Sequence, residues 1–327
     1  MKFLLTAINA KFIHSNPAIY SLRAGVGEKL QPYVELAEFT INESLESILE
    51  GIWKRQPKVI GFSCYIWNWK LIREILTELP KILPDTEIWL GGPEVTYDGP
   101  GLLREFPQVT GIMVGEGEVT FREVLDHYVR ETETAGQSEQ QPEPDRIEQQ
   151  AADRTGTVAG KSVAERFGQI PGLCLASGYT APRELTDLTM LPFLYEDMEP
   201  FTNRIIYYET SRGCPYRCSY CLSSIDKKVR LRDIDVVKRE LQFFLDQNVK
   251  QVKFIDRTFN CDHKHAMEIW RYIYEHDNGV TNFHFEISAD ILREEEIALL
   301  NRFRPGLAQL EIGVQSTNPE TIRAIHR

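Results

Sequence analysis

The chain has 327 residues, enough for two domains of ordinary size. Its formal net charge of −11 argues against a general nucleic-acid-binding surface, though a local basic site stays open. No apolar run reaches the ~18 residues of a transmembrane helix, so no membrane association is expected.

The N-terminus carries a short apolar run. It is below the ~7–15 residues of a secretory core, and no small-residue cleavage site follows it cleanly. Residues 2–8 read as a first strand instead. Six cysteines in a chain this long do not make a disulfide framework, and clustered thiols suit a reducing compartment. A cytoplasmic location is expected.

From residue 1 to about 131, strand-like and helix-like segments alternate. Residues 16–30 have helical character with Pro17 near the start, and residues 34–41 form the second strand. Ser44 fits an N-cap for a helix over 47–56. Residues 59–63 are a short apolar strand. Residues 69–83 are helical, with Leu71, Ile72, Ile75, Leu76 and Leu79 on one side. Residues 87–90 and 111–114 give two more strands, and residues 120–129 a closing helix. Five alternations predict a doubly wound α/β domain, a parallel sheet with helices on both faces.

Ligands of such sheets sit beyond the carboxyl ends of the strands. Ser63, Gly91, Gly92, Gly115 and Gly117 fall there. Glycine lets a bulky ligand approach the backbone, and it equally serves an ordinary tight turn.

Residues 130–166 are polar, rich in Glu, Gln, Thr and Gly. Such a run cannot bury enough apolar surface to order itself and reads as a flexible insertion. The insertion and connector together span 132–200. Within it, residues 170–178 resemble a small hairpin, and Cys174 is most simply a buried hydrophobe.

Residues 204–209 form a short strand. Thr210, Ser211, Arg212 and Gly213 then turn the chain into Cys-Pro-Tyr-Arg-Cys-Ser-Tyr-Cys, with cysteines at 214, 218 and 221. Three thiolates on one loop can bind three irons of a [4Fe–4S] cubane and leave the fourth iron open. A structural zinc site is the alternative, but zinc usually takes four ligands in paired motifs, and no second pair exists here.

Strand and helix then alternate again. Helices are expected over 234–247, 263–276 and 293–302, and strands over 251–256, 283–288 and 307–314. With 204–209 this makes four parallel strands.

Cys214, Cys218 and Cys221, with Tyr220 before the third, resemble the CxxxCxxC signature of the radical S-adenosylmethionine (SAM) family. The resemblance implies that the open iron chelates SAM. An electron from the cluster then cleaves the sulfonium and releases a 5′-deoxyadenosyl radical. The segments INAKFIHS, GFSCYIWN, LGGPEVT and VGEGEVTF resemble the cobalamin-binding domain that precedes many radical SAM cores. That likeness implies that Ser63, Gly91, Gly92, Gly115 and Gly117 cradle the nucleotide tail and corrin edge of cobalamin. The Asp-x-His-x-x-Gly motif of methionine-synthase-like domains is absent around His14, so His14 is not expected on cobalt. Tyr65, Trp67 and Trp69 pack either beside the corrin or in the core.

The family core resembles an open (β/α)6 barrel, and 201–327 supplies four of its strands. The reading is therefore a partial barrel, truncated at its C-terminal side. Matching positions imply SAM contacts from Glu286, Gln315 and Arg327, with Tyr220 beside the third cysteine. The family's glycine-rich motif after the second strand is absent from FIDRTFN, where Asp256 is expected to fill part of that role. Each has a plainer reading: Glu286 as an ion-pair residue, Asp256 as a helix cap, Arg327 as a surface charge. Cys261 is at no cluster position. The implied activity is a radical SAM enzyme, with cobalamin-dependent methyl transfer as one outcome. A vestigial cobalamin domain or a non-catalytic sensor are the rivals. A flavodoxin- or ferredoxin-type reductant is the expected partner.

Overall fold

A seven-residue strand, β1 (Phe3–Asn9), is buried along its whole length. Strands covered on both faces read as near-continuous apolar runs, and β1 has parallel neighbours on both sides. The computed structural model describes residues 1–138, 161–226 and 228–327. They divide into two units, Met1–Thr186 with Leu194–Asp197, and Asp187–Phe193 with Met198–Arg327.

In the first unit, β1, β2 (Val34–Thr40), β3 (Val59–Ser63), β4 (Glu87–Gly91) and β5 (Val109–Met113) are parallel, in the order β2-β1-β3-β4-β5. Alternation along β1 divides its side chains between two apolar layers. Phe3, Leu5 and Ala7 join Ile19 of α1 (Pro17–Gly25) on one face. Leu4 and Ile8 join residues of α2 (Leu45–Trp53), α3 (Trp69–Ile82) and α4 (Gly99–Glu105) on the other. Phe121, Val124 and Leu125 of α5 (Gly117–Ser138) complete the first layer. This is the doubly wound sheet read from the sequence.

Helix α1 starts as expected, with Asn16 accepting from the Ile19 N–H and Pro17 in the first turn. It stops at Gly25, not residue 30. Short turns take over, Gly27 N–H to Ala24 O and Gln31 N–H to Gly27 O.

The expected flexible stretch 130–166 is corrected at both ends. Helix α5 continues to Ser138. Helix α6 (Val163–Phe167) opens with a capping box between Ser162 and Glu165. The Arg166 side chain is 1% exposed, held between Glu87 at 2.9 Å and Glu131 at 2.8 Å. Ion pairs, a cap and Phe167 order this segment where apolar area alone would not. Residues 139–160, the middle of that stretch, lie outside the described residues. β6 (Leu173–Leu175) and β7 (Gly178–Tyr179) form the expected hairpin and extend the sheet beyond β5 in antiparallel fashion. The first unit thus runs past residue 131.

In the second unit, β8 (Ile206–Tyr208) is followed by a two-stranded antiparallel pair, β9 (Ser211–Arg212) and β10 (Arg230–Leu231), which brackets the cysteine loop. β11 (Gln251–Phe254), β12 (Asn282–Ile287) and β13 (Ala308–Ile312) continue a parallel sheet in the order β8-β11-β12-β13. Helices α7 (Ile234–Asp246), α8 (His263–Glu275) and α9 (Glu294–Leu300) alternate with the strands, and α10 (Pro319–Ala324) follows β13. Phe254, Phe259, Trp270 and Phe285 pack ring against ring in a buried aromatic core. The alternate positions Lys253, His284, Glu286 and Glu311 lie on the other face and form ion pairs.

Candidate cofactor sites

The cysteine loop leaves β9 through Gly213, whose φ is +95°. A Cβ there would lie 2.4 Å from the Lys228 carbonyl oxygen, so only glycine lets the loop close. The Cys214 N–H donates to Asp226 O at 3.0 Å, and the Cys221 N–H to Cys218 O at 3.1 Å. Cys214 and Cys218 are buried and Cys221 is half-buried. Among the described residues, no three His, Cys, Asp or Glu side chains gather closely enough to hold a single metal ion. A cubane places each thiolate on its own iron, so it does not ask three sulfurs to meet at one point. Three cysteines within one eight-residue loop fit that donor set.

Asp256, at the end of β11, is buried. It accepts the Thr210 N–H at 3.1 Å, the Thr210 hydroxyl at 2.7 Å and the Ser211 hydroxyl. Burial pushes its carboxyl up from the ordinary aspartate range, against the pull of the Ser211 and Thr210 hydrogen bonds. The expectation that Asp256 contacts SAM is therefore revised. Its oxygens are taken by the strand that feeds the cysteine loop, and it anchors that loop.

The other expected SAM residues divide. Arg327 lies against the cysteine loop. Its guanidinium donates to Ser288 Oγ at 3.2 Å and stands 5.4 Å from the centre of the Tyr216 ring. Burial alone would lower its pKa, but the Cys218 sulfur and the Tyr220 phenol beside it outweigh that and leave it raised. Tyr220 is 54% exposed, and the neighbouring Ser219 N–H donates to Ile325 O at 3.0 Å. The fold thus brings Tyr220 and Arg327 to the cysteines. Glu286 sits on the polar face of β12, 3.5 Å from Lys253 Nζ. Gln315 lies past the end of β13, exposed, with its side chain folded back over Gly313.

Two loop residues escaped the sequence reading. Thr258 lies 3.4 Å from the Cys214 sulfur. Asn260, fully buried, exchanges two hydrogen bonds with the backbone of Ser288, at 2.9 and 3.0 Å. The polar run after an apolar strand, DRTFN, was the available signal. Cys261, on the same loop, has its thiol pushed up to about 11 by burial and by the nearby Asp256 and Cys214 charges.

In the first unit, the carboxyl ends of the strands are held by asparagines. Asn68 donates to the carbonyls of Ile8 at 3.0 Å and Ser63 at 2.9 Å and accepts the Tyr65 N–H, tying β1 and β3 to the start of α3. Asn16 donates to Ser63 Oγ at 3.1 Å. A narrow apolar cavity of about 50 Å³ lies beneath α1, lined by Ile19, Leu22, Gly61, Ser63, Gly91 and Met113 among others. Gly92, at φ +108°, packs against Cys64, whose carbonyl oxygen a Cβ would meet at 2.5 Å. Gly115 has open space where a Cβ would be, and Gly117 begins α5 beside Leu22. Of the five expected residues, Ser63 and Gly91 line the cavity, Gly115 faces open space, and Gly92 and Gly117 serve the fold. Tyr65 and Trp67 stack at 4.4 Å, with Trp67 exposed, while Trp69 packs on the core. The His14 backbone closes a turn to Lys11 O. At about 50 Å³ this cavity is far smaller than a cobalamin; Ser63, Gly91 and Met113 of its lining end β3, β4 and β5, while Phe3, Leu5, Gly61 and Trp89 belong to the interior of the sheet.

Residues 4–125 match the B12 binding domain, and residues 208–327 match the Radical SAM superfamily. The chain is a radical SAM protein with a B12 binding domain. It is 27% identical over 228 residues to 2-(S-pantetheinyl)-carbapenam-3-carboxylate methyltransferase of Streptantibioticus cattleyicolor, covering 66% of this chain and 29% of that protein. It is 27% identical over 215 residues to the cobalamin-dependent radical SAM methyltransferase TokK of Streptomyces tokunonensis, covering 62% of this chain and 28% of TokK. The fold is similar to that of OxsB, a cobalamin-dependent SAM radical enzyme solved with aqua-cobalamin and SAM. The TM-score is 0.71 and the identity 16%, over 99% of this chain and 45% of OxsB. The chain thus spans less than a third of the length of these two methyltransferases. Among the described residues, no helix is long and apolar enough to cross a membrane.

Proposed function

We propose that this protein is a cobalamin-dependent radical SAM enzyme that transfers a methyl group to an unactivated carbon. The observation that carries the reading is the pairing, in one chain, of an anchored three-cysteine loop beside Arg327 with a B12 binding domain whose strand ends carry Ser63 and Gly91 and whose Gly115 faces open space. Cys214, Cys218 and Cys221 ligate a [4Fe–4S] cluster. Arg327 offers a guanidinium fork to the SAM carboxylate, and Glu286 accepts hydrogen bonds from the ribose hydroxyls or the ammonium. Tyr220 covers the same loop, and Gln315 contacts SAM from the end of β13. Ser63, Gly91 and Gly115 receive cobalamin. When bound, the cluster supplies the electron that cleaves the sulfonium, and cobalamin carries the methyl group. The electron comes from a flavodoxin- or ferredoxin-type donor, and the oxygen-sensitive thiolate site suits the cytoplasm.

The test is anaerobic reconstitution followed by SAM and dithionite. The wild-type chain takes up about four irons per protein and releases 5′-deoxyadenosine. Replacing Cys214, Cys218 or Cys221 with Ala abolishes both, while Cys64→Ala and Cys174→Ala leave both in place. An equal dependence on Cys64 or Cys174 would sink the assignment.

A further inference from the structure

The hydroxyl of Thr258 lies 3.4 Å from the sulfur of Cys214. Both residues are enclosed, 6% and 8% exposed. The same hydroxyl donates to the Arg257 carbonyl at 2.8 Å. A hydroxyl has one proton to give. With Cys214 as a thiol, the two bonds coexist: S–H donates to Thr258 Oγ1, and Thr258 O–H donates to Arg257 O. A thiolate has no proton to give, and its charge makes it a stronger acceptor than a neutral carbonyl. Once Cys214 is a thiolate ligand, the hydroxyl turns from Arg257 to the sulfur.

The loop that carries Thr258 is pinned on both sides. Asp256 holds Thr210 and Ser211, and Asn260 holds the Ser288 backbone. The hydroxyl is therefore kept within reach of Cys214 by buried hydrogen bonds on two neighbouring strands.

We propose that Thr258 is a positioning residue that donates a hydrogen bond to the Cys214 thiolate and raises the reduction potential of the cluster held there. The inference rests on the cluster reading above. Reduction adds one electron, from an external low-potential one-electron donor, to a group already made negative by its thiolates. A donor on a ligating sulfur stabilises the more negative state, which makes the cluster easier to reduce.

The full chain, reconstituted anaerobically with iron and sulfide, is titrated with dithionite and followed by electron paramagnetic resonance of the reduced cluster. Thr258→Val removes the donor at nearly constant volume, and Thr258→Ser keeps it. The expected result is equal iron in all three proteins, a more negative midpoint for Thr258→Val, and a wild-type midpoint for Thr258→Ser. A Thr258→Val protein with full iron and an unshifted midpoint overturns the proposal. So does a Thr258→Ser midpoint displaced as far as that of Thr258→Val. If Thr258→Val does not load, Thr258→Ala removes the same donor with less bulk and carries the same expectation. Failure of both to load would mean that the hydroxyl governs cluster assembly and not potential, and the proposal would be wrong. A wild-type chain that takes up no iron would instead sink the cluster reading itself.

Discussion

Asp256 receives the Thr210 hydroxyl at 2.7 Å and the Thr210 N–H at 3.1 Å, tying the exit of β8 to the exit of β11. The bonds are buried, so removing the acceptor leaves donors without partners, at a cost of about 1–3 kcal/mol each. Asp256→Ala should lower the melting temperature by several degrees and reduce iron uptake, because the strand feeding the cysteine loop loses its anchor. Asp256→Asn keeps one acceptor oxygen and should fall between. Melting curves and iron content of the three proteins decide it; equal behaviour of wild type and Asp256→Ala would show that the contact does not hold the loop.

Neighbouring glycines at the end of β4 should respond oppositely. At Gly92 a methyl would meet the Cys64 carbonyl oxygen at 2.5 Å on a backbone with φ +108°. Strain of this kind costs on the order of 1–3 kcal/mol. Gly92→Ala should therefore destabilise the first unit. At Gly91 the nearest atoms are those of Met113, at 3.8 and 3.9 Å, which is ordinary contact. Gly91→Ala should melt within about 1 kcal/mol of wild type, since a methyl fits there without strain. It places a methyl at the strand end where cobalamin is proposed to lie, so hydroxocobalamin affinity should fall several-fold. Titration by absorbance separates the two; unchanged affinity in Gly91→Ala would remove Gly91 from the cobalamin site.

The doubly wound sheet was legible because its strands are short apolar runs between amphipathic helices, the pattern that parallel sheets impose. The cysteine loop was legible because its three cysteines fall within eight residues of the chain. Asp256 was legible as a position but not as a role. Whether a carboxylate after a strand faces a ligand or a neighbouring strand depends on β8–β11 pairing, a tertiary fact. Arg166 was hidden for a similar reason. Its stretch looks too polar to order, and the partners that order it, Glu87 and Glu131, lie 79 and 35 residues away.

The Arg166 site gives a pH expectation. Burial alone would raise the Glu131 pKa, but the hydrogen bonds and charge of Arg166, with His127, hold it below the ordinary 4.5. A carboxyl depressed in the folded state contributes stability above its unfolded pKa and loses it as pH falls through the folded value. Wild type should therefore lose more stability than Glu131→Gln between pH 7 and pH 3.5. The comparison between the two proteins isolates this group from other carboxylates. Parallel pH profiles would show that the Arg166 contacts do not favour the ionised form.

The last expectation concerns Lys253, whose ammonium stands 3.0 Å from Glu311 and 3.5 Å from Glu286. Glu286 and Glu311 are direct neighbours across β12 and β13, and His284 Nε2 is 3.0 Å from Glu311. Without the lysine, two like charges would face each other on adjacent strands, which is unfavourable. The Glu286 carboxylate would then turn away from Glu311 and lose the position assigned to it above for SAM. These groups are partly exposed, so the change in global stability should stay within about 1 kcal/mol. Loss of one well-placed hydrogen-bonding carboxylate weakens binding by up to roughly tenfold, or about 1.4 kcal/mol. Lys253→Met should therefore melt close to wild type but bind SAM several-fold more weakly in the cluster-loaded protein. Lys253→Arg keeps the charge and should stay near wild type, while Glu286→Gln should bind as weakly as Lys253→Met. Combining Lys253→Met with Glu286→Gln should weaken binding little further, because both act through one carboxylate. Fully additive losses in equilibrium dialysis would show that Lys253 contacts SAM by itself or acts elsewhere.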